Sequence, residues 1–217
     1  MENIEISLPK EIKSTDEQIG SGKFADVYKG IKIDSGVELA LKIKKPFDHY
    51  HISNEGSIYK LFANDELSRN FLPEVFFISK DCIALEMLGP SLEDLLEKCK
   101  GKFSLKTVLM LAEQMINILE YIHSKNVVHV DLSPNNFLIG RGKKSKNLFL
   151  IDFGLAEKFI DNGQHIWFSE GNFFKGTNMF SSLFNHLGLA YSRRDDMVSL
   201  GYILLYLLSG TSLGRLH

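Results

Sequence analysis

Two short segments of the chain hold polar residues that could bind a metal and move a proton. In His129-Val-Asp-Leu-Ser-Pro-Asn-Asn136, an aspartate stands five positions before an asparagine. Asp131 could accept a proton from a hydroxyl, and the amide oxygen of Asn136 could ligate a metal ion. The second segment, Asp152-Phe-Gly154, follows an apolar run, and a carboxylate just after a buried strand suits Mg²⁺ on phosphate oxygens. Together the two segments predict a site for a metal-bound phosphate.

A glycine-rich segment near the N-terminus could bring backbone N–H groups close to phosphates. In Ile19-Gly-Ser-Gly-Lys-Phe-Ala-Asp-Val27, the glycines stand between two predicted strands, and glycine has no Cβ atom to keep a phosphate away. A plain hairpin turn or a dinucleotide-binding loop would give a similar pattern. Ala25 in place of a third glycine, and a strand rather than a helix after the loop, both disfavour the dinucleotide interpretation.

One lysine lies among the apolar residues of a predicted strand. Lys42 ends the run Ala40-Leu-Lys42, and it could be either an ordinary lysine of an edge strand or a cation that pairs with nucleotide phosphates. In the second interpretation a carboxylate must hold the ammonium group. Glu55, near the start of the next predicted helix, is the candidate.

The composition restricts the class of protein. The chain has 217 residues, 44% of them hydrophobic, and a formal net charge of -2. These values predict a soluble globular protein of one or two domains, without a basic surface for nucleic acid. Cys82 and Cys99 are too few for a disulfide scaffold or a four-cysteine zinc site, so we expect two buried thiols in a reducing compartment.

Neither export nor membrane insertion is predicted. The first ten residues lack a positively charged start and an apolar core, as a signal peptide would require. The most apolar segment, residues 200–208, is about half the roughly 20 residues that span a bilayer. We therefore expect an intracellular protein without a membrane partner.

The first 88 residues are predicted to form a small sheet with one helix. The turn signal Asp34-Ser-Gly36 joins two alternating segments into a hairpin. With a second strand pair around Ser79-Lys-Asp81 and the strand before the glycine-rich segment, the sheet has five strands. The helix is expected over Ile52 to Ala63, with Ile58, Leu61 and Phe62 on its apolar face.

Long helices dominate after Pro90. Ser91-Leu-Glu-Asp94 matches a capping box, and Ser104 is the expected N-cap of the next helix. Short strands within residues 127–153, an irregular segment at 160–180 and an apolar helix at about 195–208 are expected to follow. The inner face of the helix after Ser104 is predicted from residues that repeat at i, i+3, i+4 and i+7: Leu105, Val108, Leu109, Ala112, Met115, Ile116, Leu119 and Ile122.

These motifs, in this order, resemble those of the protein kinases, over nearly the whole chain. The resemblance implies an α+β, two-lobed protein-kinase-like fold. The N-lobe, residues 1–88, would hold a small antiparallel sheet and one helix, and the C-lobe, residues 89–217, would be mainly helical, both forming one kinase domain. Further segments are similar to the casein kinase 1 family: Leu88-Gly-Pro-Ser-Leu-Glu-Asp-Leu95, Phe103-Ser-Leu-Lys-Thr-Val-Leu109, Tyr121-Ile-His-Ser-Lys125, Ser192-Arg-Arg-Asp-Asp196, and Gly176-Thr-Asn-Met-Phe-Ser-Ser182 in place of an Ala-Pro-Glu motif.

The resemblance implies a protein serine/threonine kinase that uses ATP and Mg²⁺ and acts on Ser and Thr hydroxyls of proteins. Asp131 would be the catalytic base or a group that orients the substrate hydroxyl. Lys42 and Asn136 would be further catalytic residues, and Asn136 and Asp152 would hold the metal ions. Asp196 would anchor the catalytic loop. The residues expected around ATP, with Leu85 as the gatekeeper, are Ile19, Gly20, Ser21, Gly22, Val27, Ala40, Lys42, Glu55, Glu86 and Leu88.

Departures from the family pattern lead to further expectations. Val130 replaces an arginine that pairs with a phosphorylated activation loop. Ser133 replaces a lysine that helps to neutralise the transferred phosphoryl group. Together with the milder change to Ala25, they predict a slower enzyme without that switch. The alternative is a nucleotide-binding pseudokinase or scaffold with weak or no phosphotransfer.

The segment between the metal-binding motif and the last helix is expected to govern substrate choice. In the family, basic residues recognise a phosphate or acidic residues upstream of the target. The corresponding positions of this sequence are Ser169 and Asn172. We therefore expect poor discrimination between phosphorylated and unphosphorylated substrates, with Lys175 as a partial replacement. The nearby aromatic residues are expected to pack the loop against its lobe or to form a hydrophobic docking site: Trp167, Phe168, Phe173 and Phe174.

The resemblance also implies several helices after Gly210, where this sequence has only seven more residues. We expect a shortened C-lobe whose apolar faces are covered by a partner or by self-association. The expected location is the cytoplasm, with the nucleus as a second one.

Overall fold

The computed structural model describes residues 8–48, 50–161, 163–167 and 169–210. The chain divides into two compact units, Met1–Leu88 and Gly89–His217. The first is built on a sheet and the second is mainly helical, which confirms the predicted α+β fold class.

The first unit contains a five-stranded antiparallel sheet with the strand order β1-β2-β3-β5-β4. One helix, α1 (His51–Phe62), follows the third strand, and a 3₁₀ turn at Glu66–Asn70 precedes the fourth. The strands are β1 (Ile12–Ser21), β2 (Ala25–Lys32), β3 (Glu38–Lys44), β4 (Val75–Ile78) and β5 (Cys82–Glu86).

The turn between β2 and β3 confirms the predicted hairpin. Gly36 has a φ of 68°, and its N–H donates to the carbonyl of Lys32 at 2.8 Å. Because a side chain is disfavoured in this left-handed conformation, glycine is the residue that the turn requires.

Helix α1 starts on a buried carboxylate that the sequence analysis did not single out. Asp48 accepts hydrogen bonds from the backbone N–H groups of His51 at 2.9 Å and Ile52 at 3.0 Å. Burial alone would raise the pKa of Asp48, but these hydrogen bonds outweigh it and lower the pKa. The expectation for Leu61 was wrong, since its side chain is 39% exposed and Tyr59 is buried instead.

An apolar core cluster covers one face of the sheet. Burial among these side chains raises the pKa of the Cys82 thiol to about 12, so this cysteine is an unreactive thiol, as expected. Cys99 is exposed after the first helix of the second unit, so its expected burial was wrong. The core cluster consists of Ile12, Leu39, Leu41, Ile43, Cys82 and Ala84.

The second unit consists of helices connected by short strand pairs. Its helices are α2 (Leu92–Lys98), α3 (Leu105–Ser124), α4 (Leu183–His186) and α5 (Arg193–Ser209). Its strands, paired as β6 with β9, β7 with β8 and β10 with β11, are β6 (Val127–Val128), β7 (Phe137–Ile139), β8 (Leu148–Leu150), β9 (Glu157–Lys158), β10 (Ile160–Asp161) and β11 (Gln164–His165).

Several boundaries differ from the sequence expectations. The segment at 160–180 is not wholly irregular, since Ile160 pairs with His165 in the β10–β11 hairpin. Helix α5 begins at Arg193, before the predicted start, because Asp195 accepts a hydrogen bond from the Ser192 N–H at 2.8 Å and fixes the first turn. Helix α4 was not predicted. None of the described helices is long and apolar enough to cross a membrane.

The buried face of α3 differs from the predicted one. Leu105, Leu109 and Ile116 were placed inside, but they are 59%, 61% and 46% exposed. Apolar residues cover more of the helix surface than one stripe, so the period alone did not select the face that packs against α5. The buried residues are Val108, Leu111, Met115, Ile118, Leu119, Tyr121 and Ile122.

The predicted N-caps are confirmed, and the α3 cap allows a stability measurement. The Oγ atom of Ser104 accepts a hydrogen bond from the Thr107 N–H at 3.2 Å. Replacement of the exposed Ser104 by alanine is expected to lower the free energy of unfolding by about 1 kcal/mol, because a helix-end donor loses its partner. Urea denaturation measures this change. Ser104→Asp is the control and should keep wild-type stability, whereas equal midpoints for all three proteins would contradict a role for the cap.

Candidate functional site

The first unit brings Lys42 and Glu55 together, as the sequence predicted. The Nζ atom of Lys42 lies 2.6 Å from Oε2 of Glu55, and the Glu55 side chain is only 1% exposed. Lys42 lies on β3, which is central in the strand order, so the edge-strand interpretation was wrong. A buried carboxylate therefore holds this ammonium group in a fixed position.

The register of the sheet places several predicted nucleotide contacts on one face. Val27 pairs with Lys42 across β2 and β3, and Ala40 pairs with Leu85 across β3 and β5. Directly opposite side chains in antiparallel strands share a face, and so do residues two apart on one strand. Val27, Ala40, Lys42 and Leu85 therefore lie on the same side, opposite the core cluster.

Glu86 ends β5, and Leu88 lies two residues after it. The backbone N–H of Glu86 donates to the carbonyl of Glu74 at 2.8 Å, so it is not available to an adenine base. Leu88 is 9% exposed. The expected base contacts would therefore have to come from the other backbone groups of these two residues.

The glycine-rich segment forms a turn that does not itself need glycine. Gly20 and Gly22 do not have a positive φ, and an added Cβ atom at either would lie at an ordinary contact distance, 3.6 Å from Val27 and 3.5 Å from Ala25. The turn is closed by the Gly22 N–H, which donates to the Ala25 carbonyl at 2.8 Å, and by Lys45, whose Nζ donates to the Gly22 carbonyl at 2.6 Å. Ser21 donates to Asp26 at 2.6 Å.

An aromatic contact attaches this loop to α1. The ring of Phe24 stacks on that of His51 with centroids 3.4 Å apart and planes at 11°. His51 lies one helical turn before Glu55, and its Nδ1 is 2.7 Å from Oδ1 of Asp48. The glycine-rich segment and the helix that carries Glu55 are thus connected, a contact that no pattern in the sequence indicated.

The second unit brings the two polar segments together through hydrogen bonds to main-chain carbonyl groups. Asn136 donates from Nδ2 to the Asp131 carbonyl at 2.8 Å, and its own carbonyl accepts from the Ile151 N–H at 3.0 Å. The carbonyl of Ile151 accepts from Nε2 of His129 at 3.0 Å. Asp131, Asn136 and Asp152 are therefore held in one hydrogen-bonded frame, and His129 is a packed structural residue, as expected.

Asp196, on α5, holds the loop that contains Asp131, which the resemblance implied as the catalytic loop. Its carboxylate, 1% exposed, accepts from the backbone N–H of His129 at 2.8 Å and of Val130 at 3.1 Å. It also lies 2.9 Å from Nε2 of His123, on α3. The sequence analysis quoted His123 only as part of a family segment and assigned it no contact.

Val130, beside Asp131, is held in a strained conformation. Its φ is 74°, which is rare for a β-branched residue and costs about 1–3 kcal/mol. Asp196 holds its N–H, and the hydroxyl of Tyr191 donates to its carbonyl at 2.8 Å. Burial raises the pKa of the Tyr191 hydroxyl, which keeps it protonated as a donor. The Val130 side chain packs in an apolar cluster with Val128, Phe159 and Tyr191.

Thr177 is a site residue that the sequence analysis missed. Its hydroxyl donates to Oδ1 of Asp131 at 2.6 Å. Gly176, before it, has a φ of 92°, and a Cβ atom there would lie 2.7 Å from the carbonyl of Val130. The only signal in the sequence was the position of both residues at the start of the segment that stands in place of an Ala-Pro-Glu motif.

Neither of two residues connected with the departures from the family pattern, Ser133 and Lys175, is an unpaired cation. Ser133 is 5% exposed and its carbonyl accepts from the Asn136 N–H at 3.0 Å. Lys175, the expected replacement for the basic cluster, forms an ion pair with Glu157.

The aromatic residues of the same segment divide into two kinds. Trp167 and Phe173 are 86% and 91% exposed, so the expectation that they pack against the lobe was wrong. Phe174 does pack, since its ring stacks on His186 with centroids 4.9 Å apart. Phe168 lies outside the described residues.

A comparison with known protein families agrees with this arrangement. The family model of the protein kinase domain matches residues 14–215. The match covers most of the chain, and the chain therefore belongs to the protein kinase domain family.

Proposed function

We propose that this protein is a casein-kinase-1-like protein serine/threonine kinase, which transfers the γ-phosphoryl group of MgATP to Ser and Thr hydroxyls of proteins. The observation that carries the proposal is the frame in which Asn136 bonds to Asp131 through its side chain and to Ile151, next to Asp152, through its main chain. It brings a candidate base and two candidate metal ligands together in one unit.

The first unit is the proposed nucleotide-binding lobe. Lys42, held by Glu55, would contact the α- and β-phosphates as a point charge. Gly20 and Gly22 support this assignment, since the fold of the turn does not require them and a phosphate approaching the backbone would. The face with Val27, Ala40 and Leu85 would take the adenine ring.

The second unit is the proposed catalytic lobe, and its donor atoms fit Mg²⁺. The amide nitrogen of Asn136 is bonded to the Asp131 carbonyl, which leaves its amide oxygen as one candidate ligand, and the carboxylate of Asp152 would be the other. Oxygen ligands of this kind are those that Mg²⁺ prefers. When bound, the metal would neutralise charge on the phosphate oxygens.

Asp131 would orient the substrate hydroxyl and accept its proton. Thr177 donates to Oδ1 at 2.6 Å and thereby fixes the rotation of the carboxylate. Gly176 lets the chain come close enough for this contact. A positioned base of this kind contributes about 10²–10⁴-fold to the rate, and alignment of the reacting groups contributes further.

Serine/threonine specificity and the place in the casein kinase 1 family rest on the resemblance. The supporting segments are those around Leu88, Phe103, Tyr121, Gly176 and Ser192. The same resemblance carries the proposal that the protein acts in the cytoplasm, with the nucleus as a second location.

The pseudokinase alternative is favoured by one observation, the buried Ser133 where a cation would assist phosphoryl transfer. Transfer of label from radiolabelled ATP to casein, followed by phosphoamino acid analysis, distinguishes the two functions. The proposed kinase labels serine and threonine, and the Asp131→Asn variant does so far more slowly. Nucleotide binding without labelling would establish the pseudokinase instead, and label on tyrosine would contradict the proposed specificity.

MgATP is expected to raise the melting temperature, because it binds the native state and not the unfolded one. At 100 times the dissociation constant, the stabilisation is about 2.7 kcal/mol. Differential scanning fluorimetry at millimolar nucleotide measures the shift, with and without Mg²⁺. Asp152→Asn is the matched variant and should lose the Mg²⁺-dependent part. No shift for the wild-type protein would contradict both the kinase and the pseudokinase.

A further inference from the structure

The second unit has a groove beside the loop that contains Asp131. It is lined by Glu157 and by residues of the activation segment between Ile166 and Tyr191. It has a volume of about 160 Å³. We call it the Trp167 groove, and its lining residues include Ile166, Trp167, Phe173, Leu189 and Tyr191.

The charges in the Trp167 groove cancel. Lys175 is the cationic residue among the described lining residues, and its ammonium group is paired with the carboxylate of Glu157. An anionic ligand would have to compete with Glu157 for this lysine. The groove therefore does not favour a phosphate or an acidic side chain.

The amide groups of the groove are already engaged in hydrogen bonds. Asn172 donates from Nδ2 to Oγ of Ser169 at 3.0 Å and to the Gly188 carbonyl at 3.1 Å. Asn185 donates from Nδ2 to the Lys175 carbonyl at 2.6 Å, and also bonds to the Tyr191 hydroxyl at 2.9 Å. These bonds use the donors of both amides, which otherwise could bind an anion.

Two large aromatic side chains on the groove remain exposed. Trp167 is 86% and Phe173 91% exposed. A pair of exposed aromatic rings beside a neutral groove is typical of a surface that buries apolar groups on binding.

Residues that line the Trp167 groove are connected to the immediate neighbours of Asp131. Tyr191 lines the groove, and its hydroxyl donates to the carbonyl of Val130, next to Asp131. Lys175 lines it too, two residues before Thr177, whose hydroxyl bonds to Asp131. An extended polypeptide covers about 3.3–3.6 Å per residue. We therefore expect a residue within about four positions of a hydroxyl at Asp131 to reach the groove.

We infer that the Trp167 groove binds a large uncharged apolar side chain of the protein substrate, close in sequence to the phosphorylated Ser or Thr. The inference rests on the proposed function and adds a substrate class to it. Trp167 and Phe173 are the specificity-determining residues, and the neutral lining disfavours a phosphorylated or acidic residue at the same place.

The test is a set of peptides with one fixed serine. Each position within four residues of it carries phenylalanine, alanine, glutamate or phosphoserine in turn, and kcat/KM is measured for every peptide. At one position, phenylalanine is expected to exceed alanine by about tenfold or more, a difference of about 1.4 kcal/mol. In the Trp167→Ala/Phe173→Ala variant, this ratio falls to within about twofold. The control Leu109→Ala removes an exposed apolar side chain elsewhere and keeps the ratio.

A binding measurement separates failure of this inference from failure of the proposed function. Trp167 is the single tryptophan of the chain, so its fluorescence reports directly on the groove. The phenylalanine peptide is expected to shift the emission to shorter wavelength, and the alanine peptide is not, whether or not phosphate is transferred.

Two results would overturn the inference. One is the absence of both a phenylalanine preference and a fluorescence shift, and the other is a preference of more than about tenfold for phosphoserine. Transfer to none of the peptides, with the fluorescence shift present, would overturn the proposed function and support the groove.

Discussion

Replacement of Asp131 by alanine is expected to lower kcat by about 10² or more, while the dissociation constant for ATP stays similar. The side chain accepts a hydrogen bond from Thr177, and only its main-chain carbonyl bonds to Asn136. The substitution therefore removes the proposed base and leaves the contact that fixes Asn136. Steady-state kinetics on casein and a nucleotide titration measure the two quantities.

The matched variant for this experiment is Thr177→Val, which keeps the shape of the side chain and removes its hydroxyl. It leaves Asp131 present without its 2.6 Å donor. We expect kcat to fall less than in Asp131→Ala, with ATP affinity again unchanged. If Asp131→Ala kept wild-type turnover, a different group would be the base, and the frame around Asn136 would not carry the proposed function.

Replacement of Asp196 by alanine is expected to lower the free energy of unfolding by about 3–5 kcal/mol, a large fraction of the total stability of a domain. Three donors, the N–H groups of His129 and Val130 and the ring of His123, lose their acceptor in a buried place. A buried donor left without a partner costs about 1–3 kcal/mol. Urea denaturation measures the loss.

The control for the second experiment is Asp196→Asn, which keeps one carbonyl acceptor and removes the charge. Its stability should lie between those of the wild-type protein and Asp196→Ala. It also keeps the test open if the alanine variant does not fold. A free energy of unfolding within 1 kcal/mol of wild type for both variants would contradict the anchoring role of Asp196.

Local signals in the sequence predicted the parts of the structure that depend on neighbouring residues. The turn at Gly36 and the N-caps Ser91 and Ser104 involve residues within a few positions of each other, so residue type alone specifies them. Lys42 and Glu55 were paired correctly because a charged residue in an apolar strand needs a partner and a family pattern named one.

Contacts between distant parts of the chain were not predicted. Tyr191 bonds to Val130 across 61 residues, and His123 reaches Asp196 across 73. The sequence around a tyrosine or histidine in an apolar segment does not show whether its polar atom forms a hydrogen bond within the protein or with water. The prediction of the buried face of α3 was wrong for a related reason. Leu109 and Leu111 are equally apolar, and only packing against the rest of the second unit distinguishes them.

The apolar cluster around Val130 has a consequence for how the catalytic loop responds to its surroundings. Val130 packs with Phe159 and Tyr191, and Ile166 of the activation segment packs against the same cluster. Contacts of this kind depend little on ionic strength, whereas a pair between an arginine and a phosphate is screened by salt. They also weaken on cooling, because the hydrophobic effect is largely entropic near room temperature. The part of this attachment that rests on the apolar cluster should therefore depend little on salt, need no phosphate group, and weaken on cooling.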